Sequence, residues 1–419
     1  MSSRCRIVAF ALCGAALGGN GMAEDLADPA LDALVAESLE RNPELVALGE
    51  SLNAARARPE QARAQADPML SVLYTNDGWS PSLGERDMTT LGFMASVPLL
   101  APGKRDLRAR VAEREAELAL QQLERARLGV TAAVKRAYYG LALSRERLEL
   151  VREQEQIWRQ IEAVARARYA VGQGAQPDVL RVQIEVTRVG QLVAEQQAEA
   201  KIRTAELVRL TGRPPGSPVD APARLVLRPV EETADQAFER LAARSPELLG
   251  AAAARERALL QLELAGKEGK PDWSIQAGYM NRGGLDPMWQ AGVTLGLPLQ
   301  RKRRASGVAE AEAQSRASVG LAESVRLQLR YRTEERLARL AATQTIAGLY
   351  DKGIIPQARM SVDAAVANYQ SGKVPFVAVL EALTTLYNDR AAHLSLLTDH
   401  ARARASLEEA GLEETGGAR

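Results

Sequence analysis

A chain of 419 residues would ordinarily form two or three globular domains, but this composition is unusual for them. Hydrophobic residues make up 46% of the chain and aromatic residues only 4%. Ala, Leu, Glu, Arg and Gln dominate, which is typical of long helices and coiled coils. The 54 basic and 53 acidic residues leave a net charge of +1, so the whole chain lacks the basic character of a nucleic-acid-binding protein.

The first 23 residues have the pattern of a cleaved export signal peptide. Arg4 and Arg6 precede an apolar stretch at 7–17, and small residues lead to Ala23, after which we expect cleavage. The alternative is a buried first helix. The residue before Cys13 is Leu rather than a small residue, so lipidation is not expected. Both cysteines lie in this segment, so the mature chain is predicted to have no disulfide and no thiolate metal ligand.

Next along the chain, a helix at 31–66 with a break at Asn42 is followed by a change of period. Apolar residues then alternate with small or polar ones, which indicates β-strands. One pair is predicted within 69–98, with strands at 69–76 and 88–97 around a polar loop at 77–87. A second pair is predicted within 272–298, with strands at 273–280 and 289–297 around a turn at 281–287.

The predicted strands are about the length that crosses a bilayer when tilted. The same alternation occurs in half-buried hairpins of soluble proteins, which is the alternative. Four strands cannot close a membrane barrel, because closure needs about eight. Membrane insertion therefore requires several chains to pool their strands, eight from two chains or twelve from three.

Helices are predicted for most of the remainder. Residues 104–170 contain no proline and would form one helix roughly 100 Å long. A heptad stripe then runs through 179–210, as in a coiled coil. Pro98 and Pro298 are expected to end the strand pairs. A second long helix is expected from about Ser306. The heptad stripe comprises Val179, Val182, Val186, Val189, Val193, Gln196, Ala200, Arg203, Leu207 and Leu210.

The two halves repeat one unit. Tyr169, Gly172 and Leu180 recur 200 positions later as Tyr369, Gly372 and Leu380, each time between long helical patterns. A glycine-containing interruption there predicts a turn that reverses one helix into the next. We expect a first repeat at 24–211 with a helical hairpin at 104–211, a linker at 212–230, a second repeat at 231–410 with a hairpin at 306–409, and a disordered tail at 411–419.

This duplicated pattern resembles the TolC-type outer-membrane efflux proteins over essentially the whole mature chain. The resemblance implies a mainly α fold with a small β part, in which three chains form a twelve-stranded outer-membrane barrel and a periplasmic helical barrel. It implies a homotrimer in contact with outer-membrane lipid. It also implies partners: a periplasmic adaptor and an inner-membrane pump of the resistance-nodulation-division type. No cofactor, catalysis or nucleic acid is expected.

The resemblance also implies a gate at the periplasmic tips. Asp178 and Tyr369 match a hydrogen-bonded latch, and Glu381 matches an acidic residue of the constriction. Tyr169, Gly172 and Gly372 lie in the tip turns that would dock the adaptor. Ala378 and Val374 depart from the family, since relatives have an acid and a latch arginine there. A looser or differently charged gate is therefore expected.

Residues 101–105, Ala-Pro-Gly-Lys-Arg, resemble a motif of the heavy-metal efflux members of the CzcC type. The alternative is a sheet-to-helix turn with solvated cations. Heavy-metal export is the favoured function, with drug or solvent export or type I secretion as alternatives within the fold. A periplasmic adaptor is the competing class, although an adaptor would have one hairpin and a lipoyl-like domain. His393 and His400 are two helical turns apart, too far to share a metal.

Overall fold

The computed structural model describes residues 28–83, 85–220 and 224–408. The predicted signal peptide at 1–23 and the predicted tail at 411–419 lie outside the described residues. Within them, the chain folds into nine α-helices and four β-strands. None of the described helices combines the length and the apolarity that a bilayer crossing needs.

The first half begins with two short helices, α1 (Pro29–Arg41) and α2 (Pro43–Arg63). Asn42 separates them because its side chain accepts a hydrogen bond from the Glu44 N–H and so caps α2. After strands β1 (Met69–Thr75) and β2 (Thr90–Leu99), the 67-residue helix α3 (Lys104–Ala170) runs without interruption. The chain then reverses into α4 (Gln176–Leu210), and both α2 and α4 pack along α3.

The second half repeats this order with α5 (Ala234–Ala242), α6 (Pro246–Lys267), β3 (Trp273–Arg282) and β4 (Leu285–Leu295). Its first hairpin arm differs from the expectation of one long helix from about 306. Helix α7 (Arg301–Leu349) starts earlier and passes into a π-helical turn at Tyr350–Ile354, before α8 (Ile355–Gln370). Pro356, in the first turn of α8, has no N–H to donate, which accounts for a break here. Helix α9 (Phe376–Glu408) completes the hairpin.

The heptad stripe of α4 packs as predicted. Val182, Val189 and Leu207 are almost completely buried, and Val186 and Val193 are partly buried against the core cluster that contains Val182 and Val189. One core cluster lies at the hairpin tips, between α3, α4, α8 and α9, and a second lies where α1 and α2 meet α3 and α4.

The four strands form one antiparallel sheet in the order β1-β2-β3-β4. Two predicted boundaries were wrong. Strand β2 continues through Pro98, which lies opposite Ser274, to Leu99. The predicted seven-residue turn at 281–287 is a tight turn at 283–284, and Pro287 lies inside β4 beside an irregularity in the pairing. An edge strand tolerates a proline at such a bulge, because its outer side has no partner in the sheet.

The two faces of the sheet have different chemistry. One cross-strand row on the first face consists of Val72, Phe93, Tyr279 and Trp289, which are between 43% and 80% exposed. The opposite face is built mainly from small and polar residues such as Ser71, Gly92, Ser96, Gln276 and Gly278, together with several methionines. The sheet therefore presents an exposed apolar face with aromatic residues and a second, more polar face.

Candidate gate at the helical tips

The two hairpin turns have the same backbone geometry. In the turn between α3 and α4, Gly172 has a φ of 75°, the Gln173 N–H donates to the Arg168 carbonyl (2.9 Å), and the Gly172 N–H donates to the Tyr169 carbonyl (3.0 Å). In the turn between α8 and α9, Gly372 has a φ of 77° and the equivalent bonds are 2.8 and 3.0 Å. This is the Schellman arrangement, in which glycine is favoured because the left-handed conformation penalises a Cβ.

Beneath the turns, aromatic and aliphatic side chains pack the two hairpins together. The Phe376 ring makes edge-on contacts with Trp158 (centroids 6.4 Å apart) and with Tyr369 (5.7 Å). Val379 and Leu383 of α9 are fully buried in the same cluster. The positions of the tip side chains are thus set by contacts between the two repeats.

Equivalent tyrosines of the two repeats occupy different environments. Tyr369 is 4% exposed, whereas Tyr169 is 49% exposed. The Tyr369 hydroxyl is buried and has no hydrogen-bond partner among the described residues. A buried hydroxyl without a partner costs about 1–3 kcal/mol. Tyr369 is therefore a tip residue with an unmet hydrogen-bonding requirement. The ring nitrogen of Trp158 and Nε of Arg168 are likewise buried without a partner among the described residues.

Asp178 lies near Tyr369 but does not bond to it in this chain. Asp178 is half-buried in the first turn of α4. The pKa of Tyr369 is raised, first by burial and then by the negative charge of Asp178, while the charge of Arg168 acts in the opposite direction. The two residues are thus close enough to interact electrostatically, and the latch between them stays a prediction.

Arg168 is a tip residue to which neither the sequence pattern nor the family resemblance assigns a role. Its guanidinium lies 4.7 Å from the centre of the Tyr369 ring. One of its nitrogens donates to the Tyr369 carbonyl, and another donates to the Gln173 carbonyl at 3.1 Å. Arg168 therefore connects the first turn to the second. The one sequence signal is a difference between the repeats, since Asn368 stands at the equivalent position.

The other predicted tip residues are exposed. Glu381, in the first half of α9, and the glycines Gly172 and Gly372 are accessible, which leaves the turns free for a partner. Val374, where the resemblance implied an arginine in relatives, packs against the apolar tip core. The basic group beside Tyr369 in this chain is instead Arg168.

The histidines have separate structural surroundings. His400 is 1% exposed, and its Nε2–H donates to the Arg228 carbonyl (2.8 Å) while Nδ1 lies 2.9 Å from the Thr343 hydroxyl. The His393 ring stacks on Tyr350 at 5.6 Å in the π-helical turn. Across the part of the chain that the structure describes, no group of three or more His, Cys, Asp or Glu side chains could hold a metal ion.

The motif at 101–105 contains a buried cation. Lys104 is 1% exposed, and its Nζ donates to both carboxylate oxygens of Asp272 (3.0 and 3.1 Å) and to the Lys270 carbonyl (3.0 Å). The interpretation of a turn with solvated cations is therefore wrong for Lys104. This lysine instead joins the start of α3 to the residue that precedes β3.

Comparison with known proteins agrees with this architecture. The sequence profile described as "Outer membrane efflux protein" matches residues 34–213 and 237–411. The solved outer membrane protein VceC from Vibrio cholerae has the same fold, with a TM-score of 0.78 and 21% identity, over 92% of this chain and 97% of that chain.

Two characterised relatives are metal-resistance proteins. The cobalt-zinc-cadmium resistance protein CzcC of Cupriavidus metallidurans is 23% identical over 391 residues, which cover 90% of this chain and 88% of CzcC. The nickel-cobalt-cadmium resistance protein NccC of Alcaligenes xylosoxydans xylosoxydans is 27% identical over 328 residues, 75% of this chain and 71% of NccC. With its profile matched in both halves, the chain belongs to the outer membrane efflux protein family.

Proposed function

We propose that three copies of this chain form an exit duct that crosses the outer membrane as a twelve-stranded barrel. The observation that carries the proposal is the sheet. One face is exposed, apolar and aromatic, as a lipid-facing surface requires, and the other is largely small and polar, as a water-filled lumen requires. Strands β1 and β4 are each paired on one side only. Unpaired edges in lipid cost several kcal/mol for each open group, so neighbouring copies must pair them.

The helical hairpins extend the duct into the periplasm. Helix α3, at 1.5 Å per residue, is about 100 Å long. We place the tip turns with Tyr169, Gly172 and Gly372 against a periplasmic adaptor, which connects the duct to an inner-membrane pump of the resistance-nodulation-division type.

In this arrangement the repeats are 24–211 and 231–410, the linker is 212–230, and the signal peptide at 1–23 directs export. Membership of a family of efflux channels argues against a single-hairpin adaptor, and a duct needs no catalytic turnover.

The proposed gate is closed by Tyr369, Asp178 and Glu381, with Arg168 holding Tyr369 in place. The Tyr369 hydroxyl has no hydrogen-bond partner among the described residues of its own chain. In the closed state it would bond to Asp178 after a small movement, or to a neighbouring copy. The adaptor opens the tips only to the extent that it binds the open state more tightly than the closed state.

The proposed cargo is a heavy-metal cation. CzcC and NccC, both named for metal resistance, match most of this chain at 23% and 27% identity. Drug or solvent export and type I secretion are the other functions known for this fold, and they are the alternative outcomes of the test.

A deletion strain tests the function. Growth is compared across graded zinc, cobalt, cadmium, nickel, copper and silver, and across a panel of drugs, with and without the gene. We expect metal sensitivity that the gene restores. Sensitivity to drugs alone would support the proposed duct and refute the metal cargo. An absence of any sensitivity, together with release of the protein from the membrane by salt or alkali, would refute the duct.

A further inference from the structure

Three methionines of the polar face of the sheet and one in the loop before β2 lie close together. Met88, Met94, Met280 and Met288 line one cavity of about 200 Å³, beside the loop between β1 and β2 and the turn between β3 and β4. The whole chain has eight methionines, of which two lie in the predicted signal peptide. Most of the methionines outside that segment therefore converge on one place in the fold.

The strand register explains this convergence. Met280 lies opposite Met288 on β4 and opposite Gly92 on β2, so the two thioethers are cross-strand neighbours on the same face. Met94 lies opposite Gly278 on β3. Antiparallel neighbours have Cβ atoms about 4.5–5.5 Å apart, within reach of flexible methionine side chains.

Glycines keep the space beside these methionines open. A Cβ added at Gly92 would lie 3.5 Å from Cγ of Met280, and one added at Gly278 would lie 3.2 Å from Cγ of Gln290. The amide nitrogen of Gln290 already approaches the sulfur of Met94 at 4.0 Å. The methionines and Gln290 thus share the wall of the cavity with Asp87 of the loop, and no side chain fills the two glycine positions.

Thioether sulfur is a soft, uncharged ligand that selects soft monovalent cations such as Cu(I) over oxygen-preferring divalent ions. We propose that Met280 and Met288, with Met94 and Met88, form a binding site for Cu(I) or Ag(I) on the polar face of the sheet. The position of this face in the lumen rests on the proposed function. The binding site itself depends only on the sheet within one chain. Neutral ligands suit a transit site, because conduction requires binding that is weak enough for release.

The test measures silver binding by the purified full chain in detergent, in nitrate buffer without chloride or thiols. Calorimetry gives the affinity for Ag(I), and silver-edge X-ray absorption identifies the ligand atoms. The variant is Met280→Leu/Met288→Leu, because Leu replaces Met at nearly constant volume. The control is Met69→Leu/Met360→Leu, since Met69 lies outside the cavity near the helical end of the same face and Met360 is exposed on α8.

We expect sulfur scattering in the wild-type and control proteins, and at least a tenfold loss of Ag(I) affinity in the variant. Excess Zn(II) should not displace the silver. Equal affinity in wild type and variant, or coordination by oxygen and nitrogen alone, would overturn the site. The protein is purified after export, so that the predicted signal peptide with Cys5 and Cys13 is absent and no thiol competes for silver.

Single-channel recording of wild-type protein without silver separates this result from the proposed duct. Conducting trimers that do not bind silver would refute the site and leave the duct intact. Silver binding by a protein that forms no conducting trimer would refute the duct and leave the site on the sheet.

Discussion

At the scale of single residues, two buried polar groups have contrasting situations. Lys104 has its charge matched by Asp272 and an additional carbonyl acceptor. The Tyr369 hydroxyl has no partner among the described residues. Lys104 thus has all of these partners within one chain, which indicates a structural role. The surroundings of the Tyr369 hydroxyl are incomplete within one chain, which is expected of a group that changes partners when the tips move.

Replacement of Lys104 by Met should lower the free energy of unfolding by about 1–3 kcal/mol. Removal of one partner of a fully buried ion pair costs about 3–5 kcal/mol, but the Asp272 side chain is 41% exposed and stays partly hydrated. The apparent melting temperature in detergent measures the effect. The control is Arg105→Met in the same motif, for which we expect a smaller change.

The same pair predicts an acid dependence. Burial acts to raise the pKa of Asp272, but hydrogen bonds from the Ala101 N–H and from Lys104 outweigh it, so the pKa lies below its ordinary value of 3.8. The stabilisation is complete above pH 3.8 and is lost as the pH falls through the lowered pKa. Wild-type protein should therefore lose melting temperature below about pH 4 more steeply than Lys104→Met. Parallel curves would contradict the ion pair.

The double variant Asp178→Ala/Tyr369→Phe should raise single-channel conductance in planar bilayers. Phe retains the ring packing against Phe376 and removes only the hydroxyl, so little stability should be lost. The control is Tyr169→Phe, the exposed counterpart in the first repeat. Unchanged conductance in stable trimers of the double variant would show that these residues do not form the latch.

At the scale of elements, each long hairpin depends on a turn that places one glycine in the left-handed region. At Gly172 nothing lies within 4 Å of an added Cβ. The requirement for glycine is therefore conformational and not steric. Gly190 inside α4 also has open space, but it has ordinary helical geometry.

These two glycines predict substitutions of opposite sign. Gly172→Ala should destabilise the protein by about 1–2 kcal/mol, the cost of a left-handed residue with a Cβ. Gly190→Ala should stabilise it by up to about 1 kcal/mol, because Ala favours the helix. Melting of both variants under one condition tests the pair. Destabilisation by both would mean that Gly190 faces a neighbouring subunit.

At the scale of the whole molecule, the sheet is incomplete in one chain. Its two edges belong to β1 and β4, which lie at opposite sides of the four-strand order. In the proposed ring, β1 of one chain pairs with β4 of the next, so that three copies would give twelve strands.

Cysteine pairs test this ring. Ser71→Cys combined in turn with Gln290→Cys or Thr294→Cys should give disulfide-linked dimers and trimers on denaturing gels, because β1 and β4 meet between chains. The control pair Ser96→Cys/Gln276→Cys, directly opposite each other within one chain, should cross-link only internally. Higher ladders beyond three chains, or monomers alone from every β1–β4 pair, would refute the trimer.

Local patterns in the sequence determined much of the architecture. The alternation of apolar and polar residues predicted the strands, the heptads predicted the buried stripe of α4, and the paired glycine turns predicted both hairpin tips. Each of these patterns reflects the period or conformation of a single element. The pattern wrongly predicted a turn at Pro287. This proline is acceptable in β4 only because β4 is an edge strand with a bulge there, which the pattern does not reveal.

The tertiary structure decided what depends on contacts between the two repeats. Tyr169 and Tyr369 have equivalent sequence positions, yet only Tyr369 is buried, beneath Arg168 from a position 201 residues away. The burial of Lys104 against Asp272 and the gathering of methionines from β2, β3 and β4 have the same origin. These environments depend on which surfaces of the two repeats face each other. The sequence pattern does not predict them, because it is nearly the same in both repeats.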